Sequence, residues 1–395
     1  MNNEKSLKGR ANLQFYSTQD ISNLEIKAVT EVLRSDFLSR GPKVEEFEEA
    51  ISAICNGSKA LAVNSATSAL HLAYILADVN ASSLVWTTPI TFVATANTAI
   101  QLGAKIDFVD INPESLNICP QILEDKLRKA KQVNRLPNVV TVVHFAGNPC
   151  DMDPIYTLSK KYGFKVIEDA SHAFGAAYKG TPVGGDKRST ASVFSFHPVK
   201  MITTGEGGAL MLASEEISHK ANITRSHGIN DLSNKRNKKD TCPWYYEQTD
   251  IGYNYRMSEM QAAMGTVQIS RLSHFLGRRN KLANRYKKKL ANLPIKCQVV
   301  SKGSLSSYHL FTIELKEKRF NRDRLYSFLK DNKIASQVHY IPLYQHPIYD
   351  TFGFSDNYCK NAETYFSSCL SIPLHQKLDE DDIDYVVEHI AKFLK

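Results

Sequence analysis

Apolar residues in the first two-thirds of the chain form short continuous runs, and these runs alternate with segments of helical period. The run Ala60–Val63 predicts a buried strand. The segment after it predicts a helix, because its apolar residues recur three or four positions apart, at Leu70, Ala73, Tyr74 and Ala77. A strand-like run, a helix-like segment and a second strand-like run follow at Ser83–Trp86, Phe92–Leu102 and Ile106–Val109.

The stretch of residues 139–168 is the clearest unit of this kind. Residues 139–145 predict a buried strand, Asp153 is expected to cap the following helix, and Pro154 suits its first position. Gly163 is expected to end that helix before the next strand at residues 164–168. A strand, a helix and a strand in so short a stretch require parallel strands joined by a right-handed crossover. We therefore predict an α/β fold with a mostly parallel central sheet and helices on both faces.

The pattern changes near residue 256. Ser258 and Gln261 have capping-box spacing at the start of a long helix. The apolar residues of that helix are Met260, Met264, Val267 and Leu272. Mixed elements follow, namely a strand at residues 308–315, a helix at 321–332, a strand at 335–344 and a closing helix from Asp379. We therefore expect an N-terminal arm at residues 1–25, a large domain at 26–275 and a smaller C-terminal α/β domain at 276–395.

Composition narrows the class of protein. The 395 residues carry a formal charge of +8, but lysine and arginine are spread along the chain, which argues against a nucleic-acid partner. No apolar run approaches the roughly 20 residues of a membrane span, and the N-terminus lacks the apolar block of a secretion signal. Seven cysteines without a C-x-x-C pair argue against a disulfide framework or a zinc site. We therefore expect a cytoplasmic protein with no metal, no membrane contact and an anionic small-molecule substrate.

Three groups of polar residues follow predicted strands. Asp169 comes directly after one strand, Ser195 and Lys200 come from residues 191–200, and Ala66–Ser68 follows the first strand. In an open α/β sheet such strand ends share one edge, where ligands bind. Taken singly, each group has an ordinary explanation: Asp169 as a helix cap, Ser195 as a small core residue, and Ala66–Ser68 as a plain N-cap. Their occurrence at successive strand ends favours a common site.

The same groups meet the chemical needs of pyridoxal phosphate. Its aldehyde requires a lysine amine, for which Lys200 is the candidate, and its ring nitrogen requires an acid, for which Asp169 is the candidate. A helix N-terminus at Ala66 could hold the phosphate, and Phe92 could cover the ring. Nucleotide-binding motifs fit less well, since no G-x-G-x-x-G follows a strand and the phosphate-loop-like GTPVGGDK has Asp186 in place of the lysine.

Three segments occur in the order IEDASHAFGAAYKG, SVFSFHPVKMITTGEGGAL and IGYNYRMSEMQAAMG. They resemble the sugar aminotransferases of the DegT/DnrJ/EryC1/StrS family, and the resemblance covers nearly the whole chain. It implies the type I aminotransferase fold and a homodimer with shared active sites. It also implies transfer of an amino group from L-glutamate, which becomes 2-oxoglutarate, to a keto carbon of a nucleotide-linked sugar, with pyridoxamine phosphate as the intermediate form of the cofactor. A related dehydratase branch has histidine in place of the lysine, so Lys200 favours transamination.

The resemblance also implies roles for single residues. Lys200 would carry the cofactor, Asp169 would pair with its ring nitrogen, and His172 would lie near its ring hydroxyl. The residues implied for the phosphate are Ala66, Thr67, Ser195 and, reaching across the dimer to phosphate or substrate, Asn254. The residues implied for the substrate are Tyr16, Asp36, Phe37, Leu38, Ser39, Gln337, Val338, His339 and Tyr340. For His339, an ordinary strand histidine is an equal alternative.

The substrate and the class of activity have alternatives at this stage. Further segments, VNSATSALHLA and QVHYIPLYQHP among them, are most similar to a family member that acts on a UDP-linked 4-keto-6-deoxy amino sugar. Another UDP- or dTDP-keto sugar of a surface polysaccharide or lipid A pathway is an alternative substrate. A non-catalytic regulator that binds pyridoxal phosphate is an alternative of another class, since a fold alone does not prove turnover. The basic loop at residues 230–248 is an extension to which we assign no role.

Overall fold

The computed structural model describes residues 13–230, 242 and 244–395. Predictions for residues 1–12 of the N-terminal arm and for most of the basic loop lie outside the described residues. The helices are α1 (Asn23–Leu33), α2 (Pro42–Ile54), α3 (Ala66–Leu76), α4 (Ala94–Gln101), α5 (Pro120–Gln132), α6 (Met152–Tyr162), α7 (Glu215–Arg225), α8 (Glu259–Ser270), α9 (Leu272–Leu290), α10 (Arg322–Asp331), α11 (Lys360–Ser368) and α12 (Glu380–Phe393). The strands are β1 (Lys59–Val63), β2 (Leu84–Thr87), β3 (Lys105–Phe108), β4 (Val139–Val143), β5 (Lys165–Asp169), β6 (Ala177–Tyr178), β7 (Thr181–Pro182), β8 (Ala191–Ser195), β9 (Gly208–Leu212), β10 (Ile229–Asn230), β11 (Glu247–Gln248), β12 (Ile295–Cys297), β13 (Phe311–Leu315) and β14 (Cys369–Ile372).

Seven strands form the central sheet, in the order β1-β9-β8-β5-β4-β2-β3. The five strands from β8 to β3 run parallel to one another, whereas β9 is antiparallel to both of its neighbours. The prediction of an α/β fold with a mostly parallel sheet is therefore confirmed. Because β1, β5 and β8 run in one direction, their last residues Val63, Asp169 and Ser195 lie at the same edge of the sheet.

Helices cover both faces of this sheet, as predicted. Successive residues of a strand point to opposite faces. In β8, Val193 packs in the core that contains α3, whereas Phe194 packs in the core that contains α2. Both side chains are fully buried. Since helices cover both faces of the sheet, polar side chains of the strands can reach a ligand only at the strand ends.

Two helix starts are predicted correctly from their local capping signals. α8 begins with a capping box between Ser258 and Gln261, and α12 begins after the cap at Asp379. The long helix predicted from Ser258 is nevertheless broken at Arg271 into α8 and α9. The guanidinium group of Arg271 pairs there with Asp20 and Glu25 from the N-terminal part of the chain. These partners are distant in sequence, so the local pattern does not reveal the break.

Two other predicted helix starts are wrong. α6 begins at Met152 after the cap residue Asp151, so Asp153 lies in its first turn and does not cap it. The carboxyl group of Asp153 pairs instead with Lys179, at a distance of 2.9 Å. α4 begins at Ala94, so Phe92 belongs to the loop before the helix.

Residues 335–344 do not form the predicted strand. Gln337 makes a bridge to Ser371, and beyond it lies a cis peptide bond between His339 and Tyr340. The carbonyl group of His339 accepts a hydrogen bond from the hydroxyl of Tyr365 (2.9 Å) in place of a strand partner. All five residues from 337 to 341 line the cavity described below. A regular strand could not present them together, because its side chains alternate between two faces.

The C-terminal part has a core of its own. β12, β13 and β14 form an antiparallel sheet that packs with α9, α10 and α12. α9 contributes to two cores, because Leu272 and Phe275 pack beneath the central sheet whereas Leu282 and Tyr286 pack in the C-terminal core. The domain boundary at residue 275 stays a prediction, and it falls inside this helix.

Candidate active site

A cavity of about 650 Å³ opens at the carboxyl edge of the central sheet. The predicted site residues that line it are Tyr16, Ala66, Thr67, Phe92, Asp169, His172, Ser195, Lys200, Gln337, Val338, His339 and Tyr340. These residues come from distant parts of the chain. They meet because the ends of parallel strands share one edge and the loops that follow them converge there.

Lys200 lines this cavity. Burial lowers its pKa to about 8, and the negative charge of Asp169 offsets part of that shift. An appreciable fraction of the amine is therefore uncharged at neutral pH, and this is the form that attacks an aldehyde. Two hydrogen bonds anchor the loop at the lysine and just before it. The Lys200 N–H donates to the carbonyl of His197 (2.9 Å), and the Ser17 hydroxyl donates to the carbonyl of Val199 (2.8 Å).

The carboxyl group of Asp169 is buried at the end of β5. One of its oxygens accepts a hydrogen bond from Thr95 Oγ1 (2.6 Å), and the other accepts one from the backbone N–H of Ser171 (3.1 Å). The next element after β5 is the short strand β6, so the explanation of Asp169 as a helix cap does not apply. Sequence reasoning missed Thr95, because a buried threonine on a helix gives no sign of a carboxylate 74 residues away.

His172 is a neutral imidazole beside the cavity. Burial and a nearby positive charge hold its pKa well below the ordinary value. Its Nδ1 accepts the backbone N–H of Ala146 (3.3 Å), so the ring proton is on Nε2, which lies 3.3 Å from the hydroxyl of Tyr340. His309 packs against the same ring, with centroids 4.5 Å apart, and also lines the cavity. Sequence reasoning missed His309, because its segment has the pattern of an ordinary buried strand.

The first turn of α3 lines the cavity through Ala66 and Thr67. The N–H groups of a first helical turn have no partner within the helix, and they favour an anion. Ser65 caps the helix by accepting the N–H of Ser68 (3.1 Å). Gly208 of β9 packs so close to this turn that a β-carbon there would lie 2.6 Å from the backbone nitrogen of Ala66. The turn is therefore an ordinary N-cap and also a surface suited to a phosphate group.

Ser195, Phe92 and His339 complete the cavity wall. Ser195 is the last residue of β8, and it lines the cavity in addition to being buried. Phe92 is 57% exposed in the loop before α4, with its ring 6.3 Å from that of Tyr340, and it offers an aromatic face. The Nδ1 of His339 lies 2.8 Å from the hydroxyl of Ser371, and burial lowers its pKa to about 3. His339 is thus a neutral cavity residue outside any regular strand.

Two groups of predicted residues lie outside the cavity. Asn254 makes a bridge to Ser226, and its carbonyl accepts a hydrogen bond from Asn64 Nδ2 (3.3 Å). Asp36, Phe37, Leu38 and Ser39 form an exposed loop between α1 and α2. The side chains of Phe37 and Leu38 are 54% and 48% exposed. One chain does not bring these residues to Lys200, so their roles stay predictions that require a second copy.

The cavity residues fit pyridoxal phosphate. A partly uncharged amine, a buried carboxylate, a helix N-terminus and an aromatic face line the same space. Each group corresponds to one part of the cofactor: the aldehyde, the ring nitrogen, the phosphate and the ring face. Over residues 13–230 and 244–395, no group of three side chains could hold a metal ion. In the same part of the chain, no helix combines the length and apolar character needed to cross a membrane.

Comparisons with known proteins agree with this chemistry. Residues 19–391 match the DegT/DnrJ/EryC1/StrS aminotransferase family. A protein of Campylobacter jejuni named UDP-4-amino-4,6-dideoxy-N-acetyl-β-L-altrosamine transaminase is 39% identical, over 96% of this chain and 97% of its own. The structure of Helicobacter pylori PseC, described as an aminotransferase involved in the biosynthesis of pseudoaminic acid, has a TM-score of 0.87 at 31% identity. The match covers 97% of this chain and 99% of that one.

A third relative bears on the cofactor. A putative sugar aminotransferase of Streptococcus pneumoniae, described as a PLP form, has a TM-score of 0.86 at 27% identity over 97% of this chain and 100% of its own. A PMP form of the same protein matches as well. The predictions of a type I fold, a sugar aminotransferase and pyridoxal phosphate as the cofactor are confirmed. The chain belongs to the DegT/DnrJ/EryC1/StrS aminotransferase family.

Proposed function

We propose that the protein transfers the amino group of L-glutamate to the 4-keto carbon of a UDP-linked 4-keto-6-deoxy amino sugar. Its product would be UDP-4-amino-4,6-dideoxy-N-acetyl-β-L-altrosamine, a precursor of pseudaminic acid. The observation that carries this proposal is the 39% identity, over nearly the whole length of both chains, to a transaminase of that name. The cavity supports it, because it places an amine of lowered pKa opposite a buried carboxylate.

Lys200 is assigned two roles. Its uncharged amine would hold the cofactor. Once displaced by the amine of glutamate, Lys200 Nζ would accept the proton from the Cα of the amino donor and deliver it to the cofactor carbon, acting as base and then as acid. A pKa of about 8 suits both roles, because the amine can gain and lose a proton readily near neutral pH. When bound, pyridoxal phosphate supplies the electron sink that makes the proton on this carbon acidic.

Asp169 is assigned to the ring nitrogen of the cofactor. A buried carboxylate is costly unless a positive partner or hydrogen bonds compensate it, so it favours a proton on the nitrogen that faces it. His172 is assigned to the ring hydroxyl, where a neutral imidazole with its proton on Nε2 can donate a hydrogen bond. Ala66, Thr67 and Ser195 are assigned to the phosphate.

The substrate side of the site is assigned to two copies of the chain. Tyr16 and residues 337–340 would contact the sugar from one copy, because they line the cavity around Lys200. Asn254 and the exposed loop of residues 36–39 would reach the cavity of the other copy. Phe37 and Leu38 support this assignment, because two large exposed apolar side chains on one loop favour burial in an interface. The protein would then be a cytoplasmic homodimer.

The test is to incubate the purified protein with pyridoxal phosphate, L-glutamate and one keto sugar at a time. We expect the UDP-linked 4-keto-6-deoxy sugar to gain an amine, identified by mass spectrometry, with the product's stereochemistry established by NMR. Lys200→Ala is the matched control and should form no product. Turnover only with a dTDP-linked keto sugar, or with a UDP sugar of another configuration, would refute this substrate. A regulator that only binds the cofactor would leave its absorbance unchanged on addition of glutamate.

A further inference from the structure

Asp169 stands at the end of a chain of buried hydroxyl groups. Thr95 Oγ1 on α4 lies 2.6 Å from Asp169 Oδ2, and Thr91 Oγ1 lies 2.7 Å from Thr95 Oγ1. Thr95 is completely buried and Thr91 nearly so. Both residues also line the cavity beside Lys200. The chain therefore joins the cavity wall to the carboxylate that faces the cavity.

The direction of these hydrogen bonds follows from the number of protons available. An ionised carboxylate can only accept, so the hydroxyl proton of Thr95 must be donated to Asp169. Thr95 has no second hydroxyl proton, so Thr91 must donate to Thr95. The order of donation is thus Thr91 to Thr95 to Asp169. A hydrogen bond aligned in this way stabilises the charged form of the carboxyl group and lowers its basicity.

The position of Thr95 is held from the other side of the helix. Tyr74 donates its hydroxyl proton to the backbone carbonyl of Thr95 (2.8 Å), and the same hydroxyl lies 2.8 Å from Thr141 Oγ1. Tyr74 and Thr141 are fully buried. The backbone of Thr95 is therefore held in place by fully buried partners.

We propose that Thr95 is a positioning residue of the transamination: its hydroxyl keeps Asp169 ionised and correctly oriented, and thereby holds the proton on the ring nitrogen of the cofactor. This inference rests on the role proposed above for Asp169. Without the hydroxyl, the carboxylate loses a donated hydrogen bond, so the proton that it shares with the ring nitrogen moves toward Asp169. The electron sink then weakens, while the contacts that bind the substrate stay in place.

The experiment uses the holoenzyme loaded with pyridoxal phosphate that carries ¹⁵N at the ring nitrogen. The variants are Thr95→Val, which has the same shape without the hydroxyl, and Thr95→Ser, which keeps the hydroxyl. The matched control is Thr98→Val, because Thr98 is equally buried on α4 but donates to the carbonyl of Ala94 (2.9 Å), away from Asp169. The measurements are the ¹⁵N resonance of the ring nitrogen and the separate values of kcat and KM.

In Thr95→Val we expect the ¹⁵N resonance to move toward the position of an unprotonated ring. We also expect kcat to fall about tenfold or more with KM within about twofold, because one hydrogen bond to a charged group changes an equilibrium by about a factor of ten or more. Thr95→Ser and Thr98→Val should keep the resonance of the unmodified enzyme. An unmoved resonance in Thr95→Val overturns the proposal, even if kcat falls, because it shows a purely structural effect.

Two further variants make every outcome informative. If Thr95→Val does not fold or does not retain the cofactor, Thr91→Val tests the same series of hydrogen bonds, because Thr91 donates to Thr95 and not directly to Asp169. A smaller displacement of the resonance in the same direction supports the proposal, and an unmoved resonance overturns it. Asp169→Asn separates this inference from the proposed function. If the ¹⁵N resonance in Asp169→Asn equals that of the unmodified enzyme, the proposed ring-nitrogen role of Asp169 is refuted. If the resonance moves in Asp169→Asn but not in Thr95→Val, only the role of Thr95 is refuted.

Discussion

Lys200 should combine with pyridoxal phosphate at a rate that rises with pH through a midpoint near 8. Burial lowers the pKa of its amine to about 8 from an ordinary value of 10.5. At pH 7 about 9% of such an amine is uncharged, against about 0.03% for an exposed lysine, so burial raises the reactive fraction about 300-fold. Only the uncharged amine forms a bond with the aldehyde of the cofactor. The experiment therefore varies the pH from about 6 to 10, on both sides of the expected midpoint.

The assay is rapid mixing of cofactor-free protein with pyridoxal phosphate, followed by the absorbance of the covalently bound cofactor. The same reaction with a small-molecule amine, measured in parallel, removes the titration of pyridoxal phosphate itself from the profile. The variant Asp169→Asn tests the effect of the neighbouring negative charge on this midpoint. The negative charge of Asp169 raises the pKa of Lys200, so Asp169→Asn should move the midpoint below 8.

A midpoint at or above about 10 would refute the reasoning, because it would show an amine solvated like any surface lysine. An unchanged midpoint in Asp169→Asn would refute the electrostatic part alone. The first result would show that the cavity does not desolvate the amine, and the second would show that Asp169 does not face it.

Three further predictions test the site and the fold. In Asp169→Asn the protonated ring nitrogen loses its buried partner, which costs about 3–5 kcal/mol, so steady-state kinetics should show a kcat lower by about two to four orders of magnitude. A kcat comparable to that of the unmodified enzyme would contradict the assignment. In Gly208→Ala the added β-carbon would lie 2.6 Å from the backbone nitrogen of Ala66 and would displace the first turn of α3, so equilibrium dialysis should show at least about tenfold weaker binding of pyridoxal phosphate. Unchanged affinity would argue against a phosphate site at this turn. Phe47→Ala removes a fully buried ring that packs against Phe196 (centroids 5.3 Å apart), so urea denaturation should show a free energy of unfolding lower by about 3–5 kcal/mol. A loss below about 1 kcal/mol would contradict this packing.

The sequence by itself determined the fold class and the main chemical groups of the site. The apolar runs of β4 and β5 and the capping box at Ser258 depend on near neighbours, whose geometry the backbone imposes locally. Asp169 and Lys200 could be paired for a similar reason. Parallel strands place their carboxyl ends at one edge, so position along a strand was enough to predict proximity.

The tertiary structure decided what depends on contacts between distant segments. His309 beside His172 and Thr95 beneath Asp169 are such contacts, and their side chains have the pattern of ordinary core residues in the sequence. Residues 335–344 are predicted as a strand, yet residues 337–341 leave strand geometry and form part of the cavity wall. The pKa of Lys200 is of the same kind. A sequence can show that a lysine is present, but only the packing around it removes the water that would keep the amine charged.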